Sequence, residues 1–138
     1  MSLTLTFGEF AKGNYEEGER NLYIIWRGKQ CLYIGVSIDD IWIRWFHRNN
    51  RHISIVNDDA WLGSSPIGRV IVYNLPKSLR WKIELREIPL TETADLQKAE
   101  KQLIRELRPL FNITHRQPLT PKENRLAKRL LNREIQSP

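Results

Sequence analysis

Cysteine is nearly absent from this 138-residue sequence, with Cys31 as the single example. A lone cysteine excludes an internal disulfide framework and is typical of a protein from a reducing compartment. The sequence also lacks any run of about 18 apolar residues, which excludes a transmembrane helix. Its N-terminus has neither the basic region nor the long apolar run of a secretory signal. We therefore expect a cytoplasmic protein without a membrane partner.

Several chemical signatures are missing as well. Gly8 and Gly13 have the spacing of a phosphate-binding loop, but Asn14 and Tyr15 stand where Lys and Ser or Thr are required. The sequence has no Gly-x-Ser-x-Gly elbow, so serine-hydrolase chemistry has no support. Because it also has no cysteine pair and no histidine pair at helical spacing, a structural zinc site is not expected.

What the sequence does contain is an excess of basic residues. It has 22 Lys and Arg against 16 Asp and Glu, a formal net charge of +6 at pH 7. Such an excess indicates a polyanionic partner, most often nucleic acid. Five Trp, four Tyr and four Phe are typical of a folded chain rather than a disordered one. The length suits a single domain.

The spacing of apolar residues predicts the secondary structure. Strands are expected at residues 3–7, 22–26, 31–36 and 81–88, with residues 22–36 forming a β-hairpin. Helices are expected from residues 37, 66, 94 and 120, the last of them opened by a capping box. For residues 66–75 the β-branched run 70–72 favours a strand, but the serine cap and the proline favour the helix that we predict. Residues 52–63 are expected to be loop.

Three residues on these elements are candidates for chemistry. Tyr23 and Tyr33 lie ten residues apart on the two strands of the hairpin, where they are expected to be neighbours. Two strand tyrosines are more often packing residues than functional ones. Glu100 lies on the inward side of its helix, where an unpaired carboxylate costs several kcal/mol. It therefore either pairs with a buried arginine, which is the favoured reading on the residues alone, or holds a metal.

Basic residues form two further candidate surfaces. The helix that follows residue 37 has an apolar stripe that begins with Ile38, and its other side carries Arg44, His47, Arg48 and Arg51. Residues 116–133 have six basic residues and one acidic residue. The expected basic face of the last helix consists of Lys122, Arg125 and Arg129. Each surface is either a solvated face or a set of phosphate contacts.

The order and spacing of these motifs along the chain resemble those of the GIY-YIG nuclease family. Residues 21–23 (Asn-Leu-Tyr) stand where that family has Gly-Ile-Tyr, and residues 33–35 (Tyr-Ile-Gly) match its second motif. A helix bearing Arg44 follows, and then Glu100 and Asn112 stand where the family has its metal-binding helix and its closing asparagine. The likeness covers about residues 21–112.

The resemblance implies a fold and a domain organisation. The expected fold class is α+β, a small three-stranded antiparallel sheet flanked by helices. Residues 1–20 would be an N-terminal extension and residues 21–116 the nuclease domain. Residues 117–138 would be a basic C-terminal helix packed on the same domain.

The resemblance also implies an activity, the metal-dependent hydrolysis of DNA phosphodiester bonds. Glu100 would be the only protein ligand of one Mg²⁺ or Mn²⁺, and Arg44 would bind the scissile phosphate. Tyr23, helped by Tyr33, would activate the attacking water, with His47 as the alternative base. Asn112 would contact the phosphate or brace the site.

Three alternatives stay open at this point. The spacing from Tyr33 to Arg44 is one residue longer than is usual in the family, so Arg48 or His47 would replace Arg44 if the extra residue lay within the helix. Alternatively, the protein would be a non-catalytic nucleic-acid-binding module that has the nuclease-like fold but no cleavage activity. Cutting both DNA strands would need sequential nicks or a second active site, which leaves a homodimer or an accessory protein as a further partner.

Overall fold

The computed structural model describes residues 2–46, 52–57, 60–89 and 93–132. Their regular elements alternate between strands and helices. In chain order they are β1 (Ser2–Thr6), α1 (Phe7–Lys12), β2 (Leu22–Arg27), β3 (Gln30–Val36), α2 (Ile41–Phe46), β4 (Ile53–Asn57), β5 (Ala60–Gly63), α3 (Pro66–Tyr73), a 3₁₀ turn (Lys77–Arg80), β6 (Lys82–Arg86), α4 (Thr93–Leu107) and α5 (Pro121–Leu131). No helix among the described residues is long and apolar enough to span a membrane.

The central sheet is antiparallel, with the strand order β1-β6-β2-β3. The predicted α+β class is confirmed, but the predicted number of strands is corrected from three to four. The fourth strand is β1, which matches the strand predicted at residues 3–7 and pairs with β6 so that Leu3 lies opposite Leu85. Within the N-terminal 20 residues, Phe7 and Phe10 of α1 are also fully buried in the core of the protein. These residues therefore complete the sheet and its packing.

Two segments differ from the prediction. Residues 52–63 contain the hairpin β4–β5 instead of a loop. Helix α2 begins at Ile41 instead of residue 37, because the Asp40 side chain accepts a hydrogen bond from the Ile43 N–H (3.2 Å) and the Glu17 carboxylate accepts one from the Ile41 N–H (2.8 Å). These caps start the helix after Ile38, which is left 85% exposed.

The other predicted elements are confirmed. The β2–β3 hairpin forms, residues 66–73 are helical, and β6 and α4 occupy the predicted segments. The predicted capping box opens α5, with reciprocal hydrogen bonds between Thr120 and Glu123. Helix α5 packs against α3, where the Asn74 amide donates a hydrogen bond to the Leu130 carbonyl (3.1 Å).

The outer edge of β3 is covered by the chain that follows α4. The Leu110 N–H donates to the Cys31 carbonyl (3.2 Å) and the Phe111 N–H donates to the Leu32 carbonyl (2.9 Å). Because α4 also packs against β3, the sheet surface that carries Tyr33 and the helix that carries Glu100 meet at this edge.

Candidate active site

The two tyrosines of the hairpin lie side by side on one face of the sheet. Tyr23 is opposite Gly35, and Tyr33 is opposite Ile25, so the tyrosines are diagonal neighbours on paired strands. Their ring centroids are 6.2 Å apart and the rings are inclined by 25°. The prediction that they are neighbours is confirmed.

Gly35 makes room for the ring of Tyr23. A Cβ atom at this position would lie 2.3 Å from both Cζ and Oη of Tyr23. No side chain fits that distance, so the glycine of the Tyr-Ile-Gly motif is a steric requirement of the tyrosine across the strand pair.

Tyr23 is fully buried, and its hydroxyl has a histidine partner. Burial raises the pKa of Tyr23 well above its ordinary value, and burial likewise raises the pKa of Tyr33. The Tyr23 Oη atom lies 2.7 Å from Nε2 of His52. His52 is only 6% exposed, and its Nδ1 lies 2.7 Å from Oγ of Ser65, the residue that caps α3.

Sequence reasoning did not place His52 and Ser65 in the site. The reason is that residues 52–63 were expected to be loop, and nothing in the local pattern links residue 52 with residue 23. The one sequence feature that could have indicated a site residue is the position of His52, which lies between a basic helix and the serine-proline start of the next helix.

Arg44 and Glu100 reach the tyrosines from two helices. The exposed Arg44 lies in the last turn of α2, and its positive charge lowers the pKa values of Tyr23, Tyr33 and Glu100, against the larger effect of burial. Because α2 begins at Ile41, the additional residue in the spacing lies before the helix. Arg44 lies beside the tyrosines, and the choice among the three predicted alternatives stays a prediction. His47 and Arg48, like Arg51, lie outside the described residues.

Glu100 forms no ion pair within 4.0 Å in the described part of the chain, although the charge of Arg44 partly offsets its burial. Within 4.0 Å the ion pairs there are Arg86–Glu84 and Arg108–Glu123, and Glu100 belongs to neither. Its carboxylate is half-buried, and burial raises its pKa. The predicted ion pair with a buried arginine is therefore not found among the described residues, since Arg44 is exposed.

A cavity of about 300 Å³ is bordered by β3, the start of α3, α4 and the chain that follows α4. Its lining includes Tyr33, Ser65, Glu100, Asn112 and Ile113, whereas Tyr23 and Arg44 are not among its described lining residues. A larger cavity of about 550 Å³ elsewhere on the protein is lined by five carboxylates and one arginine (Glu17, Glu19, Asp39, Asp40, Glu87; Arg20). That acidic lining repels a phosphate, so we assign the functional site to the smaller cavity.

Asn112 braces the site through the backbone of β3. Its side-chain oxygen accepts a hydrogen bond from the Ile34 N–H (2.9 Å), and its side-chain nitrogen donates one to the Ile34 carbonyl (2.8 Å). The residue is buried. Of the two roles expected for Asn112, the structure supports bracing, while a phosphate contact stays a prediction.

The predicted basic face of α5 is exposed. Lys122, Arg125 and Arg129 all lie on the surface of this helix. Their position is compatible with either a solvated face or phosphate contacts.

Few of the described side chains could bind the metal that the sequence predicts. No group of three or more His, Cys, Asp and Glu residues able to hold a metal occurs in the described ranges. A single carboxylate does fit Mg²⁺, which commonly takes one or two carboxylates and completes its shell with water and phosphate oxygens. The half-buried Glu100, which has neither an ion pair nor a hydrogen bond among the described residues, is such a carboxylate.

Comparisons of the chain with protein-family models, with curated proteins and with solved structures found no match.

Proposed function

We propose that this protein is a GIY-YIG-type endonuclease that hydrolyses DNA phosphodiester bonds with one Mg²⁺ or Mn²⁺. The observation that carries the proposal is the convergence of Tyr23, Tyr33, Arg44 and Glu100. They come from β2, β3, α2 and α4, yet the rings of Tyr23 and Tyr33 stack, Tyr33 and Glu100 line one cavity, and the Arg44 charge lowers the pKa values of the other three against the larger effect of burial. This is the residue set that the order of the sequence motifs predicts.

The charges of the site suit a phosphodiester and a divalent cation. Arg44 is an exposed guanidinium at the tyrosine pair, and a guanidinium binds phosphate oxygens with two parallel hydrogen bonds. Burial disfavours the charged form of Glu100, and a bound cation would offset that cost. The net charge of +6 attracts DNA over a longer range.

Each side chain then has one role in hydrolysis. When bound, the cation stabilises the negative charge that develops on the phosphate and on the leaving oxygen. Glu100 holds the cation, and Arg44 binds and orients the scissile phosphate. Tyr23 takes a proton from the attacking water, and the neighbouring Tyr33 orients that water. Asn112 keeps β3 and the chain after α4 in register through Ile34.

The test is cleavage of supercoiled plasmid and of branched DNA in Mg²⁺, Mn²⁺ or EDTA by wild type and by Glu100→Gln. We expect metal-dependent nicking in the wild type and a loss of about 10³-fold or more in the variant. Glu106→Gln is the matched control, because Glu106 is an exposed carboxylate on the same helix. Cleavage that survives in Glu100→Gln would contradict the assignment of this site.

The stability of Glu100→Gln gives a second, independent measurement. Burial raises the pKa of Glu100, so the charged carboxylate destabilises the folded state at neutral pH. We expect the variant to be at least as stable as the wild type in urea denaturation. Loss of activity together with loss of stability would instead indicate a structural role for Glu100.

A second candidate function is a non-catalytic nucleic-acid-binding module. It is favoured by the exposed basic face of α5, formed by Lys122, Arg125 and Arg129. This function predicts DNA binding that weakens steeply with salt and no cleavage in either metal. Replacing the three residues by glutamine would then reduce both the affinity and its salt dependence, whereas Glu100→Gln would leave binding intact.

A further inference from the structure

His52 is a buried, titratable group that none of the roles above uses. Its ring contacts three aromatic rings, those of Tyr23, Tyr33 and Trp45, and the Trp45 centroid is 4.4 Å away. One ring nitrogen faces Oη of Tyr23 and the other faces Oγ of Ser65, each at 2.7 Å. Such a pair of short contacts orients an imidazole fully.

The main chain of His52 is held as firmly as its ring. Its carbonyl oxygen accepts a hydrogen bond from the Ser64 N–H (2.8 Å). It also lies against the first turn of α3, where a Cβ atom on Gly68 would approach that oxygen to 1.8 Å. Both the backbone and the ring of His52 are therefore held in place by hydrogen bonds and close packing. A residue that only fills space does not need such contacts.

Tyr23 needs a proton acceptor if it is to activate water. Because burial raises its pKa, the phenol is protonated at neutral pH and cannot take a second proton unless its own leaves. The imidazole nitrogen at 2.7 Å is within proton-transfer distance. The Arg44 side chain is also a hydrogen-bond partner of this hydroxyl, but a guanidinium only donates and cannot take the phenolic proton.

Ser65 is able to accept a hydrogen bond from one tautomer of His52. Its Oγ atom already accepts a hydrogen bond from the Gly68 N–H (3.1 Å) as the cap of α3. A hydroxyl oxygen has two lone pairs, so the same atom can accept a second hydrogen bond from Nδ1–H of His52. With its proton on Nδ1, the imidazole leaves Nε2 as an acceptor toward the Tyr23 hydroxyl.

We propose that His52, held in the Nδ1–H tautomer by Ser65, accepts the phenolic proton of Tyr23 as Tyr23 takes a proton from the attacking water. This inference rests on the proposed nuclease function. His52 acts through Tyr23 and is therefore a positioning residue, not one that touches the substrate.

The step balances without any additional reactant. One water proton moves to Oη of Tyr23 while the original phenolic proton moves to Nε2 of His52, which becomes an imidazolium. The water oxygen forms a bond to phosphorus, and the bond between phosphorus and the leaving oxygen breaks. The leaving oxygen takes a proton from bulk water, and the imidazolium later returns its proton to solvent.

The first test uses nitrogen NMR of the intact protein and needs no activity. Long-range proton–nitrogen correlations of labelled histidines, assigned with His52→Gln, distinguish the two tautomers. We expect His52 to carry its proton on Nδ1, and we expect the Nε2 signal to move in Tyr23→Phe, which lacks the hydroxyl donor. A proton on Nε2 would overturn the proposal, because His52 would then donate to Tyr23.

The second test is steady-state plasmid cleavage by His52→Gln. We expect kcat to fall by about 100-fold or more while KM changes little. Because the variant also loses the buried hydrogen bond to Tyr23, its thermal midpoint should fall, and kcat is compared at a temperature at which both proteins are folded. His115→Gln is the matched control, since His115 is exposed, and it should cleave like the wild type. Equal kcat values in His52→Gln and the wild type would overturn the proposal and leave the nuclease function intact. A wild type that cuts in no metal would instead refute the function itself.

A pH profile separates proton transfer from a structural role. Among the described residues, the titratable groups in contact with the imidazole are Tyr23 on β2 and Tyr33 on β3, while α3 contributes the uncharged Ser65. Since only neutral His52 accepts a proton, kcat of the wild type should rise with pH as the imidazolium is depleted. That rise should vanish in His52→Gln, and its persistence would overturn the proposal.

Discussion

Gly35→Ala is expected to damage both the stability and the site of this protein. Gly35 lies directly across the strand pair from Tyr23, where an added Cβ atom would be 2.3 Å from two ring atoms. The φ angle of Gly35 is not positive, so its backbone conformation accepts alanine. The substitution is therefore unfavourable for steric reasons, because the added methyl group would overlap the ring of Tyr23.

The ring of Tyr23 cannot move without losing other contacts. It is 1% exposed and touches the rings of Tyr33, Trp45 and His52. Overpacking of a filled core costs about 1–3 kcal/mol, and breaking the buried hydrogen bond to His52 costs about 1–3 kcal/mol. We expect a loss of about 3 kcal/mol in the free energy of unfolding. At about 4 °C for each kcal/mol, the thermal midpoint should fall by about 12 °C.

Urea denaturation followed by tryptophan fluorescence measures this loss. Gly28→Ala is the control, because a Cβ atom there meets nothing within 4 Å and only the φ angle of 60° opposes it. That control should lose about 1 kcal/mol and keep any cleavage activity. If Gly35→Ala is no less stable than Gly28→Ala, the Tyr23 ring does not lie against Gly35 and the site geometry is wrong.

Three further outcomes are expected. Asn112→Ala removes both hydrogen bonds to the Ile34 backbone, so urea denaturation should show a loss of about 2 kcal/mol, and an unchanged midpoint would contradict the bracing role. Burial raises the pKa of the Cys31 thiol to about 12, so alkylation of the native protein in mildly alkaline buffer should be on the order of 100-fold slower than in denaturant; equal rates would contradict its burial. The hydrogen bond from Arg108 lowers the pKa of Glu123 from 4.5 to about 2, so its stabilising effect is present above pH 4.5 and is lost as the pH falls to about 2. Glu123→Gln should flatten that part of a curve of stability against pH, and a curve identical to the wild type would contradict this effect.

Local patterns were sufficient where the stabilising contacts are local. Both strands of the β2–β3 hairpin are adjacent in sequence and joined by a short turn, so the proximity of Tyr23 and Tyr33 followed from the turn alone. The start of α5 followed from Thr120 and Glu123, whose reciprocal hydrogen bonds span three residues.

The start of α1 also has a local signal. Thr6 and Glu9 form a capping box of the same kind as the one at α5. Residues 1–20 are predicted to be an extension because the resemblance begins at about residue 21. Only the pairing of β1 with β6 reveals that Phe7 and Phe10 belong to the core.

The candidate site depends on contacts that no local pattern encodes. The sequence by itself determined the hairpin that carries the tyrosines, the helices that carry Arg44 and Glu100, and the basic charge. The tertiary structure decided that Arg44 acts on both tyrosines and on Glu100, and that His52 is the partner of Tyr23. The physical reason is that local sequence patterns specify the elements, whereas burial and charge depend on which of those elements pack together.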